Sequence, residues 1–149
     1  MSLNKNMSEF CTSVCKLNRV ITDYTQQVIE SDGVKDLHPS AGVILLPLLE
    51  RQGQTLSELA GYVHMKAPTI TVIANRLEKR GLIRRERGSS DRREVHLYLT
   101  RDGSRLAELL QGIHAKVMQR MSTGIAKSNI VNAGEVLNLI IDNLSDKRD

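Results

Sequence analysis

LIRRERGSSDRREVHLYL, Leu82 to Leu99, reads as two short strands of alternating character joined by a turn that holds Gly88, Ser89, Ser90 and Asp91 and is crowded with arginine. Just before it lies a helix-sized segment, Ala67 to Arg80, stopped by Gly81, and before that a shorter one opening with Thr55-Leu56-Ser57-Glu58. Thr55 and Glu58 fit a capping box, the Thr55 side chain accepting from the third helical amide while Glu58 reaches back. Short helix, turn, second helix and positively charged ribbon, in that order, are the layout of a winged helix-turn-helix, which grips a DNA duplex.

Charge follows the same layout. The 149-residue chain carries 21 Lys and Arg against 17 Asp and Glu, a net of +4. From Lys66 to Arg93 nine basic residues stand against three acidic ones, a net of +6, leaving twelve basic and fourteen acidic residues, a net of −2, elsewhere. A one-sided field of this kind suits a polyanion, because each neutralised phosphate releases condensed counterions. Within the second helix Ile70, Ile73, Ala74 and Leu77 share one face at the 3.6-residue period. The opposite arc holds Pro68, Thr71, Val72, Asn75, Arg76 and Lys79, with Lys66 and Thr69 at its start. Val72 sits where a solvated helix would carry Lys or Glu, and contact with a thymine methyl would explain it. Asn75 and Arg76 would reach base edges or phosphates. These eight residues, together with Arg87, Ser90, Asp91, Arg92 and Arg93 of the ribbon, form the expected DNA-binding set. Arg84 and Arg85, beside Arg87, are expected to meet phosphates.

Leu56, Leu59, Ala60 and Val63 of the shorter helix should bury, and Pro68 is tolerated in a first turn, where its missing amide proton has no partner. Both ends of the chain are helical. Met7, Phe10, Val14, Leu17, Ile21, Tyr24 and Val28 recur at alternating gaps of three and four, an unbroken heptad-like stripe. Leu106, Leu109, Leu110, Ile113, Val117 and Met121 form a second stripe, and Ile130, Val131, Leu137, Ile140, Ile141 and Leu144 a third. Thr100 and Ser128 are the expected N-caps. The fold class is therefore mostly α (α+β): a single domain over 1–149, with a winged lobe over 36–100 flanked by dimerisation helices over 7–31 and 101–146. An intramolecular bundle is the alternative use of those helices.

No stretch approaches the roughly 18 apolar residues of a membrane span, and no charged, then apolar leader opens the chain, so the expected setting is cytoplasmic. His38, His64, His96 and His114 form no close-spaced ligand pair, and the two cysteines form no Cys-x-x-Cys unit, so neither a metal nor a cofactor is expected. A metal-sensing alternative would have to bring His38 and His114 together by folding. Gly-rich phosphate loop, nucleophile elbow and metalloprotease motif are all missing from the sequence, which points away from an enzyme.

The run from His38 to Leu106 resembles the MarR family of transcription regulators. The resemblance rests on Asp91-Arg92-Arg93 in the wing, on Leu99-Thr100-Arg101-Asp102-Gly103 at the step into the next helix, and on Leu77-Glu78-Lys79-Arg80-Gly81-Leu82-Ile83 before the wing. It implies a two-fold homodimer built from the N- and C-terminal helices, a recognition helix in the major groove of a double-stranded, pseudo-palindromic operator, and a wing in the adjacent minor groove. Arg93 would enter that groove, and Asp91 would hold the wing through an arginine salt bridge. Repression is the habit of the family. Val72 departs from the pattern, standing where arginine is frequent, and Pro47 should kink a helix that is usually smooth and reshape the nearby effector pocket.

The same resemblance implies a switch. Family members respond to small aromatic or phenolic effectors in a crevice between dimerisation helices and DNA-binding lobe, while a peroxide-sensing branch uses a cysteine of the first helix. Cys11 lies eight residues before Arg19, as in that branch, but Cys15 replaces one of its tyrosines and only Tyr24 stands near another. Cys11 and Cys15 are read first as small core residues, since a thiol without a lowered pKa is inert. They should not bridge, because helix neighbours four apart hold their Cβ atoms about 5–6 Å from each other, beyond the roughly 3.5–4.5 Å a disulfide needs. Two other classes stay open: a thiol-based sensor using Cys11, and a ligand-independent architectural nucleic-acid binder.

Overall fold

A computed structural model describes residues 2–88 and 94–145. The chain divides into two compact units, Met1–Ala115 and Lys116–Asp149. In chain order the elements are α1 (Ser2–Ser31), a 3-10 turn (Pro39–Ala41), α2 (Gly42–Glu50), β1 (Gln54–Thr55), α3 (Leu56–Tyr62), α4 (Ala67–Lys79), β2 (Ile83–Arg87), β3 (Val95–Leu99), α5 (Arg101–Ser122) and α6 (Lys127–Ser145). The division falls inside α5, so the first unit contains the whole winged lobe and the second is the end of α5 with α6. The mostly helical winged helix-turn-helix read from the sequence is what the chain forms.

The ribbon gains a strand that the sequence reading lacked. The sheet is antiparallel in the order β1-β3-β2, with Gln54 opposite Leu97 and Thr55 opposite His96. Gln54 is buried, and its amide donates to the carbonyls of Pro47 and Arg51, each at 2.8 Å. The Gln52 side chain accepts from the Leu99 amide at 2.8 Å, so two polar side chains close what two residues of ladder cannot.

The lobe packs around α2. Ile44, Leu45 and Leu48 from α2, Leu59 from α3, Ile70, Ile73, Ala74 and Leu77 from α4, and Ile83, Leu97 and Leu99 from the ribbon are buried. Each large aliphatic side chain in such a core contributes about 1.5–3 kcal/mol. The four α4 positions are those its periodicity predicts. In α3 only Leu59 is fully buried, while Leu56, Ala60 and Val63 are half-covered. A two-turn helix points one position straight at the core and offers the others only its flank.

Helix ends follow local chemistry. The Thr55 side chain accepts from the Glu58 amide at 3.2 Å and Glu58 accepts from the Thr55 amide at 2.7 Å, completing the capping box. That backbone hydrogen bond, aided by Arg51 at 3.0 Å, holds the Glu58 carboxyl down at about 2. At the end of α4, Gly81 adopts φ 68°, its amide reaches the Glu78 carbonyl at 2.8 Å, and the Leu82 amide reaches Leu77 at 3.0 Å. This is a Schellman motif, sealed by the buried pair Leu77 and Leu82. Thr100 caps α5 as expected, accepting from the Gly103 amide at 3.0 Å while its hydroxyl donates to the Gly81 carbonyl at 2.7 Å. Gly103 lies so close to the Leu82 carbonyl that any Cβ there would run into it.

Ser128 is not the cap of α6. The chain leaves α5 through Gly124 at φ 76°, and the amides of Asn129 and Ile130 turn back to the Ala126 carbonyl, so the helix begins at Lys127, two residues earlier than a Ser128 cap implies, and Ser128 lies in its first turn. Pro47 lies inside α2, which runs on to Glu50 with the Arg51 amide donating to the Pro47 carbonyl at 2.9 Å. Pro47 leaves the Val43 carbonyl without its helical donor. None of the described helices is long and apolar enough to cross a membrane.

Candidate nucleic-acid interface

Helix α4 enters solvent on the arc opposite its buried stripe. Lys66, Pro68, Thr69, Val72, Asn75, Arg76 and Lys79 are all exposed, and Val72 keeps 50% of its surface open. Thr71 stands apart: it is half-covered and donates its hydroxyl to the Ala67 carbonyl at 2.9 Å, so it faces its own helix. Beside the arc, Val72 and Arg76 border a hollow of about 430 Å³ that His38, Ser40 and Met65 also line. Two lysines, an arginine, an amide and an apolar side chain on one convex helix are a set able to neutralise phosphates and test base edges.

The basic run, uniform in sequence, is divided by the fold. Arg80 donates to the Asp36 carbonyl at 2.5 Å and ties the loop before α2 to the end of α4. Arg84 pairs with Glu86 and stacks 4.8 Å from the centre of the Tyr98 ring. Arg85 turns inward, one terminal nitrogen 3.1 Å from Glu78 and the other donating to the Asn75 side-chain oxygen at 2.7 Å. Its Nε is buried with no partner among the described residues. Arg84 and Arg85, expected at phosphates, are thus engaged within the lobe, whereas Arg87 is exposed. Ser90, Asp91, Arg92 and Arg93, and with them the salt bridge expected of Asp91, lie outside the described residues. His96 donates from Nδ1 to the Gly53 carbonyl at 2.8 Å, fastening β3 to the turn before β1.

Away from this face, a crevice of about 480 Å³ opens between α1, α2, α3 and α5, lined by Ile21, Thr25, Val43, Pro47, Tyr62 and His114 among others. Cys11 and Cys15 are free and exposed on α1, not core residues. Cys15 borders a shallow hollow with Arg19 and Val20. The His38 ring accepts from the Ser40 amide at 3.1 Å and caps the 3-10 turn. Among the described residues no three His, Cys, Asp or Glu side chains gather as metal ligands.

A helix pair closed by a basic β-ribbon defines a winged helix-turn-helix DNA-binding protein. The MarR-family model matches residues 37–95, the winged lobe, and the chain is similar there to that family of transcription regulators. It is 28% identical over 136 residues to the HTH-type transcriptional repressor MdtR of Bacillus subtilis, covering 91% of this chain and 85% of that one. The crystal structure of transcriptional regulator PA3341 superposes with a TM-score of 0.76 at 29% identity, over 93% of this chain and 99% of that one. Reduced AbfR bound to DNA shares the fold at 22% identity, with a TM-score of 0.77 over 99% of this chain and all of that one (100%). MdtR and PA3341 are both named as transcriptional regulators or repressors.

Proposed function

We propose that the protein is a homodimeric repressor that occupies a pseudo-palindromic operator, lays α4 in the major groove, sets the ribbon tip with Arg93 and Asp91 at the adjacent minor groove, and releases DNA when a small effector binds. The observation that carries this reading is the open arc of α4, where Val72, Asn75, Arg76 and Lys79 project together from a helix whose other face is locked into the lobe. A duplex spaced by one turn matches two such helices only if two chains pair, and the uncovered apolar faces of α1 and α6 supply a pairing surface. The crevice beside Pro47 has the size and the mixed apolar and polar lining of an effector site. A second reading, a thiol sensor, is favoured by the exposure of Cys11 and Cys15; alkylation of both without loss of response excludes it.

The test is selection of bound duplexes from a random pool, followed by affinity measurements against salt. Val72→Ala should reduce operator preference with the salt slope intact, by about 1–3 kcal/mol of discrimination. Arg76→Ala should flatten the slope of log K against log salt by about one and weaken all duplexes alike if it meets phosphate. An architectural binder would select no consensus at all. A consensus whose ranking ignores Val72→Ala would mean that α4 is not the reading element.

A further inference from the structure

Asn75 sits in the middle of the exposed arc of α4, and its side chain is not free to turn. The Arg85 guanidinium donates to it at 2.7 Å while Glu78 holds the other arm of the same guanidinium at 3.1 Å. A guanidinium has donors only, so the amide atom facing it is the carbonyl oxygen, and the NH2 group is the end left for a ligand. Arg85 is placed for this by strand alternation. It shares a ribbon face with the buried Ile83 and stands opposite the buried Leu97, so it points at α4 and not at solvent.

We propose that Arg85 is a positioning residue that makes Asn75 a one-way reader: a hydrogen-bond donor that takes any base with a major-groove acceptor, rejects cytosine, and lacks the preference for adenine of an unrestrained asparagine. An unrestrained asparagine pairs with adenine through both ends of its amide, accepting from N6 and donating to N7. Here the oxygen end is committed to the wing, and the torsion of the amide is set by protein and not by the base. Guanine offers N7 and O6, thymine O4 and adenine N7, so each satisfies the NH2 group, adenine with one bond in place of its usual two, whereas cytosine presents only its N4 amino group, a second donor. Glu78 fixes the guanidinium, which makes the arrangement a three-residue relay from helix to wing and back. The inference rests on the docking of α4 in the major groove.

The experiment compares the full-length protein with Asn75→Ala, Arg85→Lys and Glu78→Gln by random-duplex selection, then by affinity for the selected duplex with each base at every position. Asn75→Ala identifies the position that Asn75 reads. At that position the wild type should disfavour cytosine by about fivefold, the worth of one hydrogen bond, and should not prefer adenine over guanine or thymine. Arg85→Lys keeps the charge but loses the fork, so it should free the amide and raise adenine above guanine and thymine there by about fivefold, while every other position and the salt slope stay as in the wild type. Glu78→Gln should give the same local shift toward adenine to a smaller degree, and it serves if Arg85→Lys does not fold. A wild-type preference for adenine or cytosine at that position would overturn the inference. So would an Arg85→Lys protein that keeps the wild-type ranking, or one that weakens all positions equally as a merely structural or phosphate-binding residue would. If Asn75→Ala changes no position, the docking of α4 itself fails, a result distinct from failure of the Arg85 relay alone.

Discussion

Helices α4 and α6 are both amphipathic, and among the described residues only α4 buries its apolar face. α4 buries Ile70, Ile73, Ala74 and Leu77, whereas α6 buries no residue and leaves Ile130, Val131, Leu137, Leu139, Ile141 and Leu144 open. Along α1 the contrast occurs within one helix: Ile29 is buried beside the winged lobe, while Leu17 and Val20 each keep 51% of their surface exposed. Exposed apolar stripes of this length are costly in water, so the difference separates a lobe with its own core from helices whose apolar faces, on the function proposed above, would meet a second chain.

That contrast is most easily broken by core substitutions. Leu45→Ala, at a fully buried site of α2, should lower unfolding free energy by about 2–5 kcal/mol, measured by denaturant titration. Leu139→Asp, at an exposed site of α6, should instead convert a sedimenting dimer to monomer at micromolar concentration and make stability of the parent, but not of the variant, depend on concentration. Equal, concentration-independent losses from both would mean that the flanking helices close on their own chain.

A smaller effect sharpens the boundary of the lobe. Gly103→Ala should cost about 1–3 kcal/mol although alanine favours helices, because its Cβ meets the Leu82 carbonyl, a backbone atom that cannot step aside. A thermal melt showing stabilisation would mean that α5 starts farther from the ribbon.

The smallest concerns pH. Glu58 is held at about 2, first by the Thr55 amide and then by Arg51, below its ordinary value of 4.5. A depressed carboxyl stabilises the fold above its unfolded pKa, and that contribution is lost as pH falls from about 4.5 through about 2. Glu58→Gln should therefore be slightly less stable near neutrality and lose less on acidification across that window, in melts at matched ionic strength. Glu58 is exposed, so solvent screening keeps the difference to a fraction of the capping box. A variant with the parent's acid profile would show that the carboxylate contributes nothing to the lobe.

The local parts of the molecule were legible because short-range geometry decides them. The stripe Ile70, Ile73, Ala74 and Leu77, the capping box of Thr55 and Glu58, the stop at Gly81 and the Thr100 cap all depend on residues within about one turn of each other, and all appear as the sequence implies. The exposed arc of α4 was legible for the same reason, apart from Thr71, whose hydroxyl turned back to its own backbone. What the sequence left open were the long-range pairings. Two residues of β1 carry no strand signal and become a strand only because β3 lies beside them. The exposure of Cys11 and Cys15 depends on which neighbours α1 lacks, and the arginines of the ribbon are one residue type with different fates. Alternation placed Arg85 on the face of Ile83, a hint present in the sequence, but only the packed helix beneath that face supplied Asn75 and Glu78 as its partners. Periodicity thus says which way a side chain points, and tertiary structure decides what it meets, because a hydrogen bond of 2.7 Å requires two elements to be placed that no local rule relates.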